Sequence, residues 1–458
     1  MGENTHWLNS KKEALPMAFY RMIQEIENIQ SGFLSEVLSC LDRKSVEEVF
    51  GGSWERERVY HPWALVSLFL GQIALNVGTE DAVAFGIHDG ILPRNASPHN
   101  SAYCNARRDY PERCFRELSI DFGKRLAERA WKKELFFGRR SLVVDQTTFR
   151  LPDTSSNQLE YPQPSAQKAG LGSPVMYVCC LMDLSTGAII DVESGSERTS
   201  ERTKFRAMWE RSIEKGDIMV QDAGYGSYAE ACMLSAIDVD SLFRLHSRLF
   251  NGYVRRLGPG DWLVEWSKPK QLPGWVDPES LPDKLVIREI HYCPFPGAPE
   301  IRLATTLTDP CVYSRNKLIN LYLRRWDMEL RFDDIKTVMH LETLRSKTPS
   351  GCRKELYMGL LAYNMIRAVM IDAARAAGIS VRKISFTRAL NRILAFAFCD
   401  LSRINPKAAY DLLKSHLNKL ALKFRPHRQE PRKVKRRNTK YRLLTTPRNT
   451  ARYEVLSA

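Results

Sequence analysis

Apolar positions recur at three- and four-residue spacing from residue 16 to about 138, most clearly through 33–41, 63–75, 81–85 and 114–131. That is the spacing of helices with one buried face. Gly51-Gly52, Gly78 and the stretch from Pro93 to Pro98 cut the run into short helices. The pattern changes at Ser141. SLVVDQTTFRL, PVMYVCCLMDL and GAIIDVES are strand-like runs, the last two joined at Ser185-Thr186-Gly187 in the manner of a hairpin. A helix over 201–215 follows, then DIMVQDAGYG as a buried strand ending in a glycine turn, a helix over 228–236, and the strand SLFRLH at 241–246.

Three strands, helix, strand, helix, strand is the order of a ribonuclease-H-like mixed sheet, an α/β (α+β) fold. Residues 248–310 interrupt it with strands near DWLVEWS, LVIREIHY and EIRLATTL among many prolines, a β-rich insertion. Beyond Ser314 the chain reads as helical to about residue 418. The expected organisation is a helical N-terminal domain over 1–138, a ribonuclease-H-like core over 139–247 and 311–418, the insertion over 248–310, and a basic tail over 419–458.

The charge is concentrated in that tail. The 458 residues carry 68 Lys and Arg against 53 Asp and Glu, a net +15, and residues 419–448 alone hold twelve cations and one acid, Glu430. Arg432, Lys433, Lys435, Arg436 and Arg437 form its densest part, with Phe424 and Tyr441 interleaved in the run. Such a segment is either a solvated tail or a grip on phosphates. SAYCNARR at 101–108, ending in Arg107 and Arg108, is likewise either a helix that lies against DNA or an exposed basic helix end. The start of the chain has no apolar run after its charges, so neither export nor acylation is expected. The apolar stretches at 63–77 and 356–371 are broken by Gln72, Asn364 and Arg367 and are too short for a bilayer. Ten dispersed cysteines without a CxxC pair read as reduced thiols in the cytoplasm. No GxxxxGK[ST] loop, GxSxG or HExxH occurs, which leaves ATP-driven, serine-hydrolase and zinc-protease chemistry unsupported.

Three acids stand where such a sheet would converge: Asp145 at the end of the first strand, Asp222 at the end of the fourth, and Glu329 on the helix beyond the insertion. Each alone is as readily a turn or surface residue. Together they offer hard oxygen donors of the kind that two divalent cations use to stabilise the attacking and leaving oxygens of a phosphodiester. In LINLYLRRWDMELRFDDIK, Tyr322, Arg325, Glu329 and Lys336 fall within a stripe about 60° wide at 100° per residue. Ile319, Leu323, Trp326 and Leu330, about 40° to 100° to one side, are the expected burial face. The same stripe is also readable as a salt-bridged solvent face.

The spacing Y-x2-R-x3-E-x6-K, following D-x-T and D-x-G-Y, resembles the signature of bacterial DDE transposases of the insertion sequence 4 family. SAYCNARR, LRSKTPSGCRKELYMGLLAYNMIR and RPHRQEPRKVKRR are similar to family segments in the same order. The resemblance implies cut-and-paste transposition. In it Asp145, Asp222 and Glu329 hold two Mg²⁺ ions, with Mn²⁺ as a substitute, and Tyr322, Arg325 and Lys336 grip the phosphates of the element's end. It further implies double-stranded DNA as partner, recognised through terminal inverted repeats, a homodimer in a synaptic complex, no membrane, and a bacterial cytoplasm, at the nucleoid. Ala223 departs from the family, where Arg is common; the missing phosphate contact is either absent or supplied by a neighbour such as Arg244. Trp262 and Trp266 are either a platform for a flipped base or the insertion's own core. A non-catalytic DNA-binding regulator and a structure-specific nuclease derived from such an enzyme remain the alternatives at this stage.

Overall fold

A computed structural model describes residues 41, 43–51, 59–88, 90–245, 253–294, 297–397, 406–422 and 446. The expected helix at 33–41, apart from residue 41, and the tail cations at 432–437 lie outside them. The described N-terminal helices are α1 (Arg43–Phe50), α2 (Pro62–Ala74), α3 (Thr79–His88), α4 (Ser101–Asp109) and α5 (Glu112–Glu128). The sheet region runs β1 (Ser141–Arg150), α6 (Ser155–Glu160), β2 (Val175–Asp183), β3 (Ile189–Gly195), α7 (Glu201–Arg206), α8 (Trp209–Ser212), β4 (Ile218–Gln221), α9 (Tyr228–Ala236) and β5 (Asp240–Arg244). Then come β6 (Tyr253–Gly258), β7 (Asp261–Ser267), β8 (Lys284–Tyr292) and β9 (Ile301–Thr305). The closing helices are α10 (Arg315–Leu323), α11 (Asp327–Asp333), α12 (Pro349–Ala376), α13 (Phe386–Ala397) and α14 (Pro406–Lys419).

Among the described residues, nine strands form one sheet, in the order β3-β2-β1-β4-β5-β9-β8-β7-β6. The first five are the mixed ribonuclease-H-like set, with β2 antiparallel to β1 and β3, and β4 parallel to β1 and β5. The insertion is therefore no appendage. Its last strand returns to pair with β5 through Leu242↔Thr305, Phe243↔Ala304 and Arg244↔Leu303, so the sheet simply continues. Its apolar side chains pack with those of α9 and β5 into a small second core, in which Trp266 meets Tyr228 edge-on at 5.2 Å.

The sequence reading differs from the structure in three elements here. The expected helix at 201–215 is two short pieces, α7 and α8, separated at 207–208. The strand β6 was not foreseen, because YVRRLG is too polar to show a buried face; it is the exposed edge of the sheet. Asp145 is not at a strand end, since β1 runs on to Arg150.

The 28-residue helix α12 is buried almost all round, which is why its sequence shows no clean stripe. Thr348 caps it, accepting from Gly351 N at 3.2 Å, with Pro349 at the first helical position. The polar residues that break its apolar run are buried with partners. Asn364 accepts from Ile189 N at 3.0 Å and donates to Ile189 O at 2.8 Å, behaving as a strand neighbour for β3, and Arg367 donates to Thr186 O at 3.0 Å. Beside Asn364, α5 comes so close to β3 that a Cβ on Gly123 would meet Ile189 O at 2.1 Å and Asn364 Nδ2 at 3.0 Å. The N-terminal helices thus share one hydrophobic core with the sheet and α12, without a break at residue 138. Among the described residues, no helix is long and apolar enough to cross a membrane.

Candidate active site

The parallel register of β1 and β4 places the first two acids side by side. Val143 pairs with Val220, and two residues further along each chain stand Asp145 and Asp222, on the same sheet face. β4 ends at Gln221, so Asp222 opens the crevice beyond the carboxyl end of that strand. Each carboxylate is oriented in the same way, by the backbone N–H of the next residue: Gln146 N to Asp145 Oδ1 and Ala223 N to Asp222 Oδ1, both 2.8 Å. The turn after Asp222 is tight, because a Cβ on Gly226 would meet the Phe243 ring at 2.1 Å.

The helical segment after the insertion brings the remaining groups. Arg325 is buried, and its guanidinium lies 3.9 Å from Asp145, 3.8 Å from Asp222 and 3.7 Å from Glu329. Those are ion-pair distances, all too long for a hydrogen bond. The Nε of Arg325 is buried without a partner among the described residues. Tyr322 O–H donates to Asp222 Oδ1 at 3.5 Å, and burial pushes its phenol up to a pKa of about 12. Lys336 Nζ reaches Thr147 Oγ1 at 3.3 Å, two residues beyond Asp145 on β1.

Asp145 carries a pKa raised from 3.8 to about 6. Burial is the main cause; Glu329 and Asp222 add repulsion, while the Gln146 N–H and Arg325 oppose it. Three carboxylates answered by one distant guanidinium leave the cluster short of positive charge. Among the described residues, no group of three or more carboxylates, histidines or cysteines stands close enough to enclose an ion.

The helix itself is not the single regular one expected. It is α10, a 3₁₀ turn at Arg324–Trp326, α11, and a π turn at Asp334–Val338. The 3₁₀ turn falls between Tyr322 and Glu329, which with Arg325 still meet at one cluster, and the π turn lies beyond Glu329 and bears only on where Lys336 points. The expected burial face is wrong. Leu323, Trp326 and Leu330 are exposed at 42%, 55% and 56%, and Ile319 is half-buried. Leu318, Leu321, Met328 and Ile335 are buried instead, at roughly 220° to 320° on the opposite flank of the charged stripe at 100° per residue. The stripe turns toward the sheet's acids, and the flank nearest the sheet is covered with it.

Other expected residues lie elsewhere. Arg107 stacks over the Phe69 ring at 3.8 Å and bonds Gln72 and Ser346, while Arg108 is exposed beside Asp109 at 3.0 Å. Arg244 ends β5, exposed, close enough for its charge to oppose the rise in the Tyr322 pKa. Trp262 is half-buried against His291 at 4.7 Å, and Trp266 belongs to the insertion's core. Sequence reasoning missed Arg202, whose Nε donates to Gly224 O in the turn after Asp222. Nothing in the pattern of α7 signals it.

Comparison with known proteins adds a family. The Transposase DDE domain model matches residues 136–365. The transposase InsG of insertion sequence element IS4 from Escherichia coli (strain K12) is 27% identical over 320 residues, 66% of this chain and 69% of that protein. Among solved structures, the cryo-EM piggyBac transposase synaptic complex with hairpin DNA aligns over 91% of this chain and 87% of its own, at 9% identity and a TM-score of 0.42, too loose a likeness to carry detail of the site.

Proposed function

The chain belongs to the transposase DDE-domain family, and we propose that it excises and inserts an insertion sequence by cutting and rejoining DNA at the element's ends, with Asp145, Asp222 and Glu329 as the metal-binding acids. The observation that carries the reading is the convergence of three carboxylates, from a strand, the turn after its neighbour and a helix, within 4 Å of one guanidinium. The donor set suits Mg²⁺, a hard ion that takes carboxylate oxygens, and a cation would relieve Asp145, a carboxylate penalised by burial and by repulsion from Glu329 and Asp222. Two such ions, or Mn²⁺ in their place, supply Lewis-acid stabilisation of the attacking and leaving oxygens when bound.

The protein's own groups orient the substrate. The N–H of Gln146 and of Ala223 hold Asp145 and Asp222 in place. Arg325 has no carboxylate at hydrogen-bond distance, so its planar fork is free to turn to a phosphate. Tyr322 and Lys336, on either side of it, fix the neighbouring phosphates of the terminal nucleotides. Water attacks the phosphodiester at each end, and the freed 3′-hydroxyl attacks in turn, without a covalent protein intermediate. The DNA is double-stranded, and bringing two ends together calls for a homodimer. The tail cations Arg432, Lys433, Lys435, Arg436 and Arg437 contribute sequence-independent backbone contacts.

The test is excision of a marker placed between the gene's own flanking sequences. Rejoined donor sites with the wild type and none with Asp145→Ala are expected. Excision by both would remove Asp145 from the site. Excision by neither, with salt-sensitive binding to the flanks, would leave a DNA-binding regulator.

A further inference from the structure

A cavity of about 610 Å³ opens where α4, the corner between α2 and α3, and the start of α12 meet. Arg107, Arg108, Arg345, Lys347 and Lys354 line it against a single carboxylate, Glu355. That carboxylate is already spent, accepting from Arg345 N, Ser346 N and Ser346 Oγ, each at 3.0 Å. Three of the cations are struts. Lys354 Nζ donates to the carbonyls of Arg107, Arg108 and Tyr110 at 2.8, 2.9 and 2.6 Å, tying the end of α4 to α12. Arg345 donates to Val77 O at 2.7 Å, and Arg107 to Gln72 at 3.0 Å. The struts hold the walls rigid and leave two exposed cations at the mouth. Lys347 makes no ion pair among the described residues, and Arg108 has only its neighbour Asp109.

The cavity is also joined to the acids through β1. From Asp145, β1 carries Thr147 under Lys336 and ends at exposed Arg150. There the strand bonds the segment leading to α12, Arg150 N to Glu342 O at 3.0 Å and Leu344 N to Arg150 O at 2.9 Å, and Arg345 and Lys347 follow directly. Asp145 to Arg150 is roughly 17 Å at about 3.3 Å per residue. That length matches about five base pairs of duplex at 3.4 Å each.

We propose that this cavity is a second phosphodiester site, which clamps the backbone of the DNA duplex whose scissile phosphate lies at the carboxylates, beyond the Arg150 end of β1. It rests on the transposase reading above. Its walls come from both the N-terminal helices and α12, so DNA seated there bridges the two.

The test measures binding of the full-length protein to a duplex of the gene's flanking sequence and to an unrelated duplex, over a range of salt. The variants are Arg108→Ala/Lys347→Ala and, as a charge control, Lys215→Ala, an exposed residue before β4 at the far end of the sheet from Asp222. The double variant is expected to weaken both duplexes about tenfold and to lower the slope of log K against log salt by about 2, one phosphate for each cation. The control is expected to leave the slope alone. Salt-sensitive wild-type binding with an unchanged slope in the double variant would overturn the cavity site alone, as would an equal fall in the control. Wild-type protein that binds neither duplex would overturn the transposase reading, and the cavity site with it.

Discussion

Two guanidinium–carboxylate groupings on the same sheet are built in opposite ways. In the insertion, Arg288 and Asp261 form a buried bidentate pair at 2.8 and 2.6 Å, and Arg288 also donates to Tyr313 O at 2.6 Å. At the other site, Arg325 stands 3.7 to 3.9 Å from three carboxylates and bonds none of them. The first is a finished clamp, in which every charge is met at contact distance and the extended sheet is locked to the segment leading into α10. The second keeps its charge unspent. A cluster that leaves carboxylates under-neutralised and a guanidinium unbonded gives up stability, and it is ready for cations and phosphates.

The sharpest way to test that contrast is to remove charge from each. Glu329→Gln or Asp145→Asn is expected to lower cleavage of end DNA by at least roughly 10³-fold, the scale on which removal of a transition-state electrostatic group acts. Far-UV circular dichroism should be unchanged, and full cleavage by either variant would refute the role given to the cluster. Arg288→Met should instead unfold the protein more easily by about 3–5 kcal/mol, because Asp261 is left buried and unpaired. Denaturant titration reads this directly, and a loss under about 1 kcal/mol would mean that the pair is no clamp.

A smaller effect has the opposite sign. The folded-state pKa of Asp145, about 6, lies above the unfolded 3.8, so the native state binds the proton more tightly. Its ionised form therefore costs stability, fully above pH 6 and fading as the pH falls toward 3.8. With metal chelated, Asp145→Asn should raise stability by up to about 3 kcal/mol above pH 6, and by less as the pH drops. A thermal-melt series that shows no gain at high pH would contradict the strain assigned to the cluster. Arg325→Gln removes an interaction that lowers the Asp145 pKa, so carboxyl NMR should find that pKa higher still. The least effect is expected for Tyr322→Phe, which loses one 3.5 Å contact and should shift stability by less than about 1 kcal/mol. A drop in end-DNA affinity at the same time would place its hydroxyl on a phosphate.

Much of the site was legible because the chemistry needs residue types at set spacings. D-x-T in a strand, D-x-G-Y after a later one and Y-x2-R-x3-E-x6-K in a helix pick out five groups that do gather, and the sixth, Lys336, lands two residues along β1. The errors come from assuming a uniform helix beside a solvent-facing stripe. Trp326 and Leu330 were expected inside and are outside, since an apolar flank is buried only if a partner stands in front of it. Arg107, readable from sequence as a DNA contact or as an exposed basic helix end, has much of its guanidinium taken by Phe69, Gln72 and Ser346, partners up to 239 residues away.

The sequence by itself determined most of the order of strands and helices, the family, and which acids and cations gather at the candidate site, because periodicity and spacing are local properties of the chain. Only the tertiary structure decided that the insertion extends the sheet through β9, that α12 is buried on all sides, and that Arg108 and Lys347 share a cavity wall with residues distant in the chain. Those depend on which surfaces meet. Two segments bury each other through shape and unpaired hydrogen-bonding groups at long range, and that complementarity leaves no local pattern to read.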